Sequence, residues 1–256
     1  SFFVIPFAWM VSTAGKEGAL IWKIPPVWIP PRYEWSNYIE GWKILPFATF
    51  YYNTIKITTL TVGGVLISSS LAAFAFARLR FPGRGLLFVI VLSTMMLPYH
   101  VTLIPQYMLF TRLHWVNTHK ALWVQWWFGD AFSIFLLRQF FMTVPLELDD
   151  AARIDGCSRL GAFWRILLPL SKPALGVVTI FEFTWSWNNF MGPLIYLDSI
   201  KLFPVAVGLR QFQQRSGTEL QLMLAQTVLF VIPVLVLFFL AQRRFIQGIV
   251  VSGVKG

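Results

Sequence analysis

Charge is scarce in this chain, and so are the residue types that build catalytic centres. Of 256 residues, 12% are charged and only 11 are Asp or Glu, whereas soluble domains carry about 25% charged residues. The single cysteine, Cys157, excludes an internal disulfide. The three histidines are His100, His114 and His119. No cysteine or carboxylate cluster accompanies them, so they read as surface residues, and no metal site is expected. HExxH, GxSxG and P-loop patterns are all missing, which removes the usual signatures of a membrane enzyme and of ATP hydrolysis by this chain itself. Internal repeats and low-complexity segments are absent as well.

What is present is long apolar sequence: 57% of the residues are hydrophobic, which puts the chain in the membrane class. Residues 1–13 are apolar but short of the about 20 that a spanning helix needs. They read as the end of a membrane helix that begins earlier, because a signal peptide would bring a basic n-region and a small-residue cleavage site. Residues 14–53 form an external loop, with Pro25-Pro26, Pro30-Pro31 and Pro46 interleaved with Trp22, Trp28, Trp35 and Trp42. Its prolines extend the backbone, its tryptophans suit the headgroup region, and a short surface helix is expected near 38–45. Further spans are expected at 57–77, 85–110, 121–137, 174–197 and 220–241. The first of these is rich in Gly, Ser and Ala, which let helices approach closely in lipid. The next is interrupted by Pro98 and Pro105, and a broken helix needs protein or a water-filled cavity around its freed backbone. It is therefore either a path-lining segment or an ordinary proline kink. The expectation is an all-α integral membrane bundle of six transmembrane helices, the first truncated, forming a single transmembrane domain over 1–256.

The net charge of +10 would raise nucleic acid as a partner in a soluble protein. No dense basic run exists here, so anionic membrane lipid is the better partner for Lys and Arg that flank spans. One set of loops holds Arg78, Arg80, Arg84, Arg138, Arg153, Arg159, Arg165 and Lys172 close to span ends, with Arg243, Arg244 and Lys255 in the tail. The other set spreads its cations over longer loops. The positive-inside rule then places 143–170, the tail 242–256 and both termini in the cytoplasm.

The longest polar interruption in the second half of the chain is 146–169. It holds Glu147, Asp149, Asp150, Arg153, Asp155, Arg159 and Arg165. Ala151 and Ala152 favour a helix and leave a small, close-packing surface. Gly156 permits a turn that a Cβ would resist. Gly161 is a second weak point, and Pro169 stops the helix that leads back to the membrane.

Asp150-Ala151-Ala152, then Gly156, then Ile166-x-Leu168-Pro169 resembles the "EAA" signature of ATP-binding-cassette importer permeases. Asp150 stands where Glu is usual, which keeps the charge and shortens the reach. The likeness continues through Phe76-Ala77-Arg78-Leu79-Arg80-Phe81-Pro82-Gly83-Arg84, Leu103-Ile104-Pro105, Leu136-Leu137-Arg138-Gln139-Phe140-Phe141, Ser186-Trp187-Asn188-Asn189-Phe190, Pro193-Leu194-Ile195 and the terminal Gly253-Val254-Lys255-Gly256. It is nearest to the sugar branch, in the half equivalent to the smaller maltose-transporter permease. The resemblance implies a type I importer in a prokaryotic plasma (inner) membrane. It implies a second homologous permease, two copies of a cytoplasmic ATPase and an external solute-binding protein. It also implies a cytoplasmic coupling helix that docks on the ATPase through Asp150, Ala151, Ala152, Asp155 and Gly156, with residues 247–256 reaching toward the ATPase pair. The chain itself would bind no cofactor; ATP and Mg would sit on the partner.

Asp130 and Glu182 are ionisable groups inside spans, and such groups face a bundle interior or cavity. Glu182, Trp185 and Asn189 fall at helical spacings of three and four, on one face, with Asn188 beside them. Trp offers a flat apolar surface and Glu or Asn offers hydrogen bonds, which suits a sugar. The same residues could equally bind neighbouring helices. Carriage of another solute, such as a glycerol-phosphate ester or polyamine, is an alternative. Proton-coupled secondary transport through Asp130 and Glu182 is a further one, although it would not need the EAA-like segment.

Overall fold

The computed structural model describes residues 4–215 and 219–252. All regular elements among the described residues are helical. Two helices, Phe47–Arg78 and Leu220–Leu240, are long and apolar enough to cross a membrane unbroken. Three bent pairs raise that number to five: Arg84–Met96 with Tyr99–Arg112 at 100°, Lys120–Thr143 with Glu147–Ile154 at 76°, and Arg159–Leu170 with Lys172–Trp187 at 76°. Ile5–Ala14 is shorter.

The chain divides into two compact units. The first comprises Ser1–Lys56 and Trp187–Leu237. Its surface helix is Ser36–Ile44, close to the expected 38–45. Buried polar side chains tie its segments together by satisfying backbone groups, as burial demands. Asn53 Nδ2 donates to the carbonyls of Lys201 and Phe203 at 2.9 and 3.0 Å, and Val205 N donates to Thr54 Oγ1 at 2.9 Å. Gln226 Nε2 donates to the Tyr38 carbonyl at 2.9 Å, and Trp187 Nε1 to that of Phe230 at 3.1 Å. The Lys16 ammonium lies buried, 3.7 Å from the Trp9 ring centroid, and donates to Thr13 Oγ1 at 3.2 Å. Burial holds its pKa below the ordinary lysine value. Between the last two expected spans, Val205–Arg215 is a helix that buries Val205, Val207 and Phe212.

The second unit comprises Ile57–Ser186 and Phe238–Gly256. Its core is Val65, Ala73, Phe74, Leu137, Phe141, Phe163, Leu167, Ala174 and Val178. Phe163, from the polar interruption, packs on Phe74 with ring centroids 5.0 Å apart and on Phe141 at 6.5 Å. The Gly64 backbone lies against the Trp127 indole, whose Nε1 donates to the Leu60 carbonyl at 3.0 Å.

Several features differ from the sequence expectation. The helix of the 57–77 span starts at Phe47, so residues 47–53 belong to it and not to the external loop. The span at 121–137 is not one helix: a 3-10 stretch, Val124–Phe128, leads to Gly129 at φ +101°, and a new helix starts at Ala131. The span at 174–197 ends at Trp187, and a separate helix covers Met191–Tyr196. Gly161 is no weak point. It lies inside the Arg159–Ala162 helix, and a Cβ there would come within 2.7 Å of Cys157 Sγ. The last helix runs through the expected tail to Ser252, while 253–256 lie outside the described residues.

Candidate functional site

The 146–169 segment folds by local rules that its sequence states. The Glu147–Ile154 helix carries Glu147, Asp149 and Asp150 in its first turn and Arg153 in its last, complementing the helix dipole at both ends. It closes on Gly156 at φ +78°. Cys157 N donates to the Ala152 carbonyl at 2.8 Å and Gly156 N to that of Arg153 at 3.0 Å. These two bonds form a Schellman cap, in which a left-handed glycine lets the last carbonyls find donors. Ser158 then caps the next turn, its Oγ accepting from Gly161 N at 3.0 Å. Phe163–Leu167 widens to π geometry, Pro169 lies within the turn Leu168–Leu170, and the chain bends at Ser171 into the helix Lys172–Trp187.

Two contacts fix this segment to the end of the long helix Phe47–Arg78. Arg78, 6% exposed in its side chain, pairs through Nε with Asp149 Oδ2 at 3.2 Å, and its Nη2 donates to the Val144 carbonyl at 2.6 Å. Phe163 supplies the apolar anchor. Bends of 76° on both sides of the segment set its short helices across the direction of the helices that precede and follow it. Motion of an object gripping the short helix would therefore pass to both of its longer neighbours.

Asp150, Ala151, Asp155 and Gly156 are exposed on this segment. Ala152 is not: it is 5% exposed, its methyl packs inward, and it is withdrawn from the outward-facing set. The residue the sequence reading missed is Ile154, 86% exposed at the tip of the helix. An isoleucine one turn after an acidic run, on a face otherwise polar, was the available signal. Leu146, Leu148 and Leu160 are also exposed. Asp150 lies 3.8 Å from Arg153, a solvent-exposed pair of small energetic weight.

The membrane-embedded candidates separate into different roles. Asp130 caps the helix Ala131–Thr143: its Oδ2 accepts from Ser133 N at 2.7 Å, and its own N donates to Ser69 Oγ at 3.0 Å. Glu182, 7% exposed, accepts from Ser133 Oγ at 3.2 Å through Oε1. Asp130, Ser133 and Glu182 thus form one polar cluster inside the second unit. Trp185 is partly exposed on the same helix as Glu182, with its ring edge-on to Trp126 at 4.5 Å. Asn188 and Asn189 lie beyond the helix end at Trp187, so Asn189 does not share the helical face of Glu182 and Trp185. Asn189 Oδ1 instead accepts from Gly192 N at 3.2 Å, ahead of Met191–Tyr196. Among the described residues no group of His, Cys, Asp and Glu is arranged to hold a metal ion.

Residues 64–251 match the family model described as "Binding-protein-dependent transport system inner membrane component". Among curated proteins, the arabinooligosaccharides transport system permease protein AraQ of Halalkalibacterium halodurans is 36% identical over 208 residues, covering 81% of this chain and 74% of that protein. The sn-glycerol-3-phosphate transport system permease protein UgpE of Yersinia enterocolitica is 32% identical over 248 residues, covering 93% and 88%. Among solved structures, a bacterial ABC transporter involved in the import of the acidic polysaccharide alginate contains a chain that superposes with a TM-score of 0.85. That alignment covers 94% of this chain and 90% of that one at 24% identity, a likeness of fold.

Proposed function

The chain belongs to the family of inner membrane components of binding-protein-dependent transport systems, the permeases of ATP-binding-cassette importers that work with ATPase and solute-binding components, and we propose that its solute is a carbohydrate. The observation that carries the reading is the 36% identity to an arabinooligosaccharide permease across 81% of the chain. The 32% identity to a glycerol-3-phosphate permease across 93% of it favours one competing solute, a glycerol-phosphate ester.

In this reading the assembly pairs this subunit with a second permease, two copies of a cytoplasmic ATPase and an external binding protein. Both termini and the 143–170 segment face the cytoplasm. The outward-facing carboxylates Asp150 and Asp155, the small Ala151 and Gly156, and the protruding Ile154 grip the ATPase. ATP and Mg bind there and not on this chain. When the ATPase pair closes, the gripped helix moves as a rigid body. Arg78–Asp149 and Phe163 carry that motion into the spanning helices. A motor can shift the permease only if it binds one of its states better than the other, and a capped, anchored helix gives that preference a stiff lever. Glu182, Trp185, Asn188 and Asn189 remain the candidates for the solute path, while the bonds around Asp130 support a capping role for it.

The test is to reconstitute the assembly with its binding protein and measure which solute stimulates ATP hydrolysis. Stimulation by an oligosaccharide supports the carbohydrate reading. Stimulation by glycerol-3-phosphate, and by no sugar, replaces it with the competing one.

A further inference from the structure

A cavity of about 490 Å³ lies beside the Glu147–Ile154 helix, where it meets the end of Phe47–Arg78. Five arginines line it: Arg78, Arg80, Arg84, Arg153 and Arg159. Only two carboxylates, Asp149 and Asp150, oppose them, so the lining carries three positive charges more than it neutralises. Three of the guanidinium groups are engaged. Arg78 holds Asp149 and the Val144 carbonyl, Arg84 Nη1 donates to the Leu79 carbonyl at 3.0 Å, and Arg153 lies 3.8 Å from Asp150. Arg80 and Arg159 are exposed and have no carboxylate within 4.0 Å among the described residues. Phe74, Leu79 and Leu146 give the same cavity apolar wall.

Two forked, uncommitted guanidinium groups in a cavity of this size fit an oxyanion with several acceptor oxygens. Arginine matches phosphate in pairs of parallel hydrogen bonds. The apolar wall and the position at the end of a membrane-crossing helix fit an anion attached to hydrocarbon. We propose that this cavity is a phosphate-binding site, occupied by the phosphate of an anionic lipid headgroup or by a free phosphate, with Arg80 and Arg159 as its principal ligands. The proposal rests on the membrane placement of the chain and not on the docking of the ATPase. Bound there, the anion offsets the excess positive charge beside the short helix and stiffens its seat on the spanning helix.

The experiment uses the purified, delipidated transporter assembly in neutral detergent. Its melting temperature is measured with dihexanoyl phosphatidylglycerol, with dihexanoyl phosphatidylcholine or with inorganic phosphate. Three forms are compared: the native protein, Arg80→Gln/Arg159→Gln, and Lys23→Gln/Lys43→Gln as a control with the same loss of charge. Phosphatidylglycerol raises Tm by about 2–4 °C in the native and control forms and not in the arginine variant, and phosphatidylcholine does less. A rise with phosphatidylglycerol alone identifies a headgroup as the source; an equal rise with inorganic phosphate identifies the free ion. If the glutamine variant does not assemble, Arg80→Lys/Arg159→Lys keeps the charge and loses the paired hydrogen bonds, and its response falls to less than half. Equal responses in all forms, or none in any, overturn the proposal. Loss of the ATPase from the arginine variant with the anion response intact also overturns it, because the cavity would then be a protein contact.

Discussion

Arg78 and Asp149 join the end of a 32-residue helix to the first turn of an eight-residue one, Nε to Oδ2 at 3.2 Å. Their side chains are 6% and 22% exposed, so solvent screens the pair weakly. The guanidinium also holds the Val144 carbonyl at the point where the chain turns. Removing Arg78 leaves a partly buried carboxylate without its counter-charge and a carbonyl without its donor. Arg78→Met should destabilise the subunit by about 2–4 kcal/mol. Asp149→Asn, which can still accept a hydrogen bond, should cost about half of that. Thermal unfolding in one detergent orders the two; equal losses would mean that the carbonyl contact contributes nothing.

Gly156 sits at φ +78° with nothing within 4 Å of where a Cβ would stand. Space is therefore no obstacle, and the cost of a substitution is the left-handed backbone. Gly156→Asn should cost a few tenths of a kcal/mol, Gly156→Ala about 1 kcal/mol and Gly156→Val about 2 kcal/mol or more. Uptake per ATP hydrolysed should fall in the same order, because the cap aims the outward-facing residues. Normal uptake by Gly156→Val would separate this turn from coupling.

Gly64 is under the opposite constraint. A Cβ there would stand 2.3 Å from Trp127 Cδ1, and the indole is held by its bond to Leu60. Gly64→Ala should cost about 1–3 kcal/mol by displacing the ring. In a Trp127→Ala background the same change should cost under 1 kcal/mol. A double-mutant cycle reads the difference directly; additivity would show that the two do not press on each other.

Glu182→Gln keeps an acceptor for Ser133 Oγ, so stability should change by less than about 1 kcal/mol. Asn189→Ala removes the acceptor for Gly192 N and should cost about 1 kcal/mol. If either lies on the solute path, the apparent KM for uptake rises severalfold beyond what that stability loss explains. Unchanged uptake kinetics in both variants would assign them to structure alone.

Part of this architecture is legible in the sequence alone. The Gly156 turn and the helix before it were legible because capping acts over a few neighbouring residues: acids first, arginine last, glycine after. The apolar spans were legible as segments, because composition determines them. Where they break was harder. The 121–137 run contains no proline, yet it divides at Gly129-Asp130, where a left-handed glycine precedes an N-cap whose side chain reaches Ser133. Aspartate directly after glycine was a helix-start signal inside an apolar run. Asn189 was assigned to a helical face by spacing alone, which holds only while the helix continues, and it ends at Trp187. The burial of Ala152 and the Arg78–Asp149 pair depend on residues distant in sequence, and no local pattern carries them. The arginine-lined cavity gathers Arg80, just past the end of Phe47–Arg78, and Arg159, at the start of Arg159–Ala162, a meeting that only the fold discloses.

The proposed grip of the ATPase is on the exposed edge of Glu147–Ile154 and its glycine turn. A photo-crosslinking amino acid at position 155 of the assembled transporter tests it, with the same group at position 28 in the tryptophan-rich loop as the comparison. A crosslink to the ATPase subunit should form from position 155, weakened when Ile154 is replaced by Asp, and none should form from position 28. A crosslink to the ATPase from position 28 and none from 155 would contradict it.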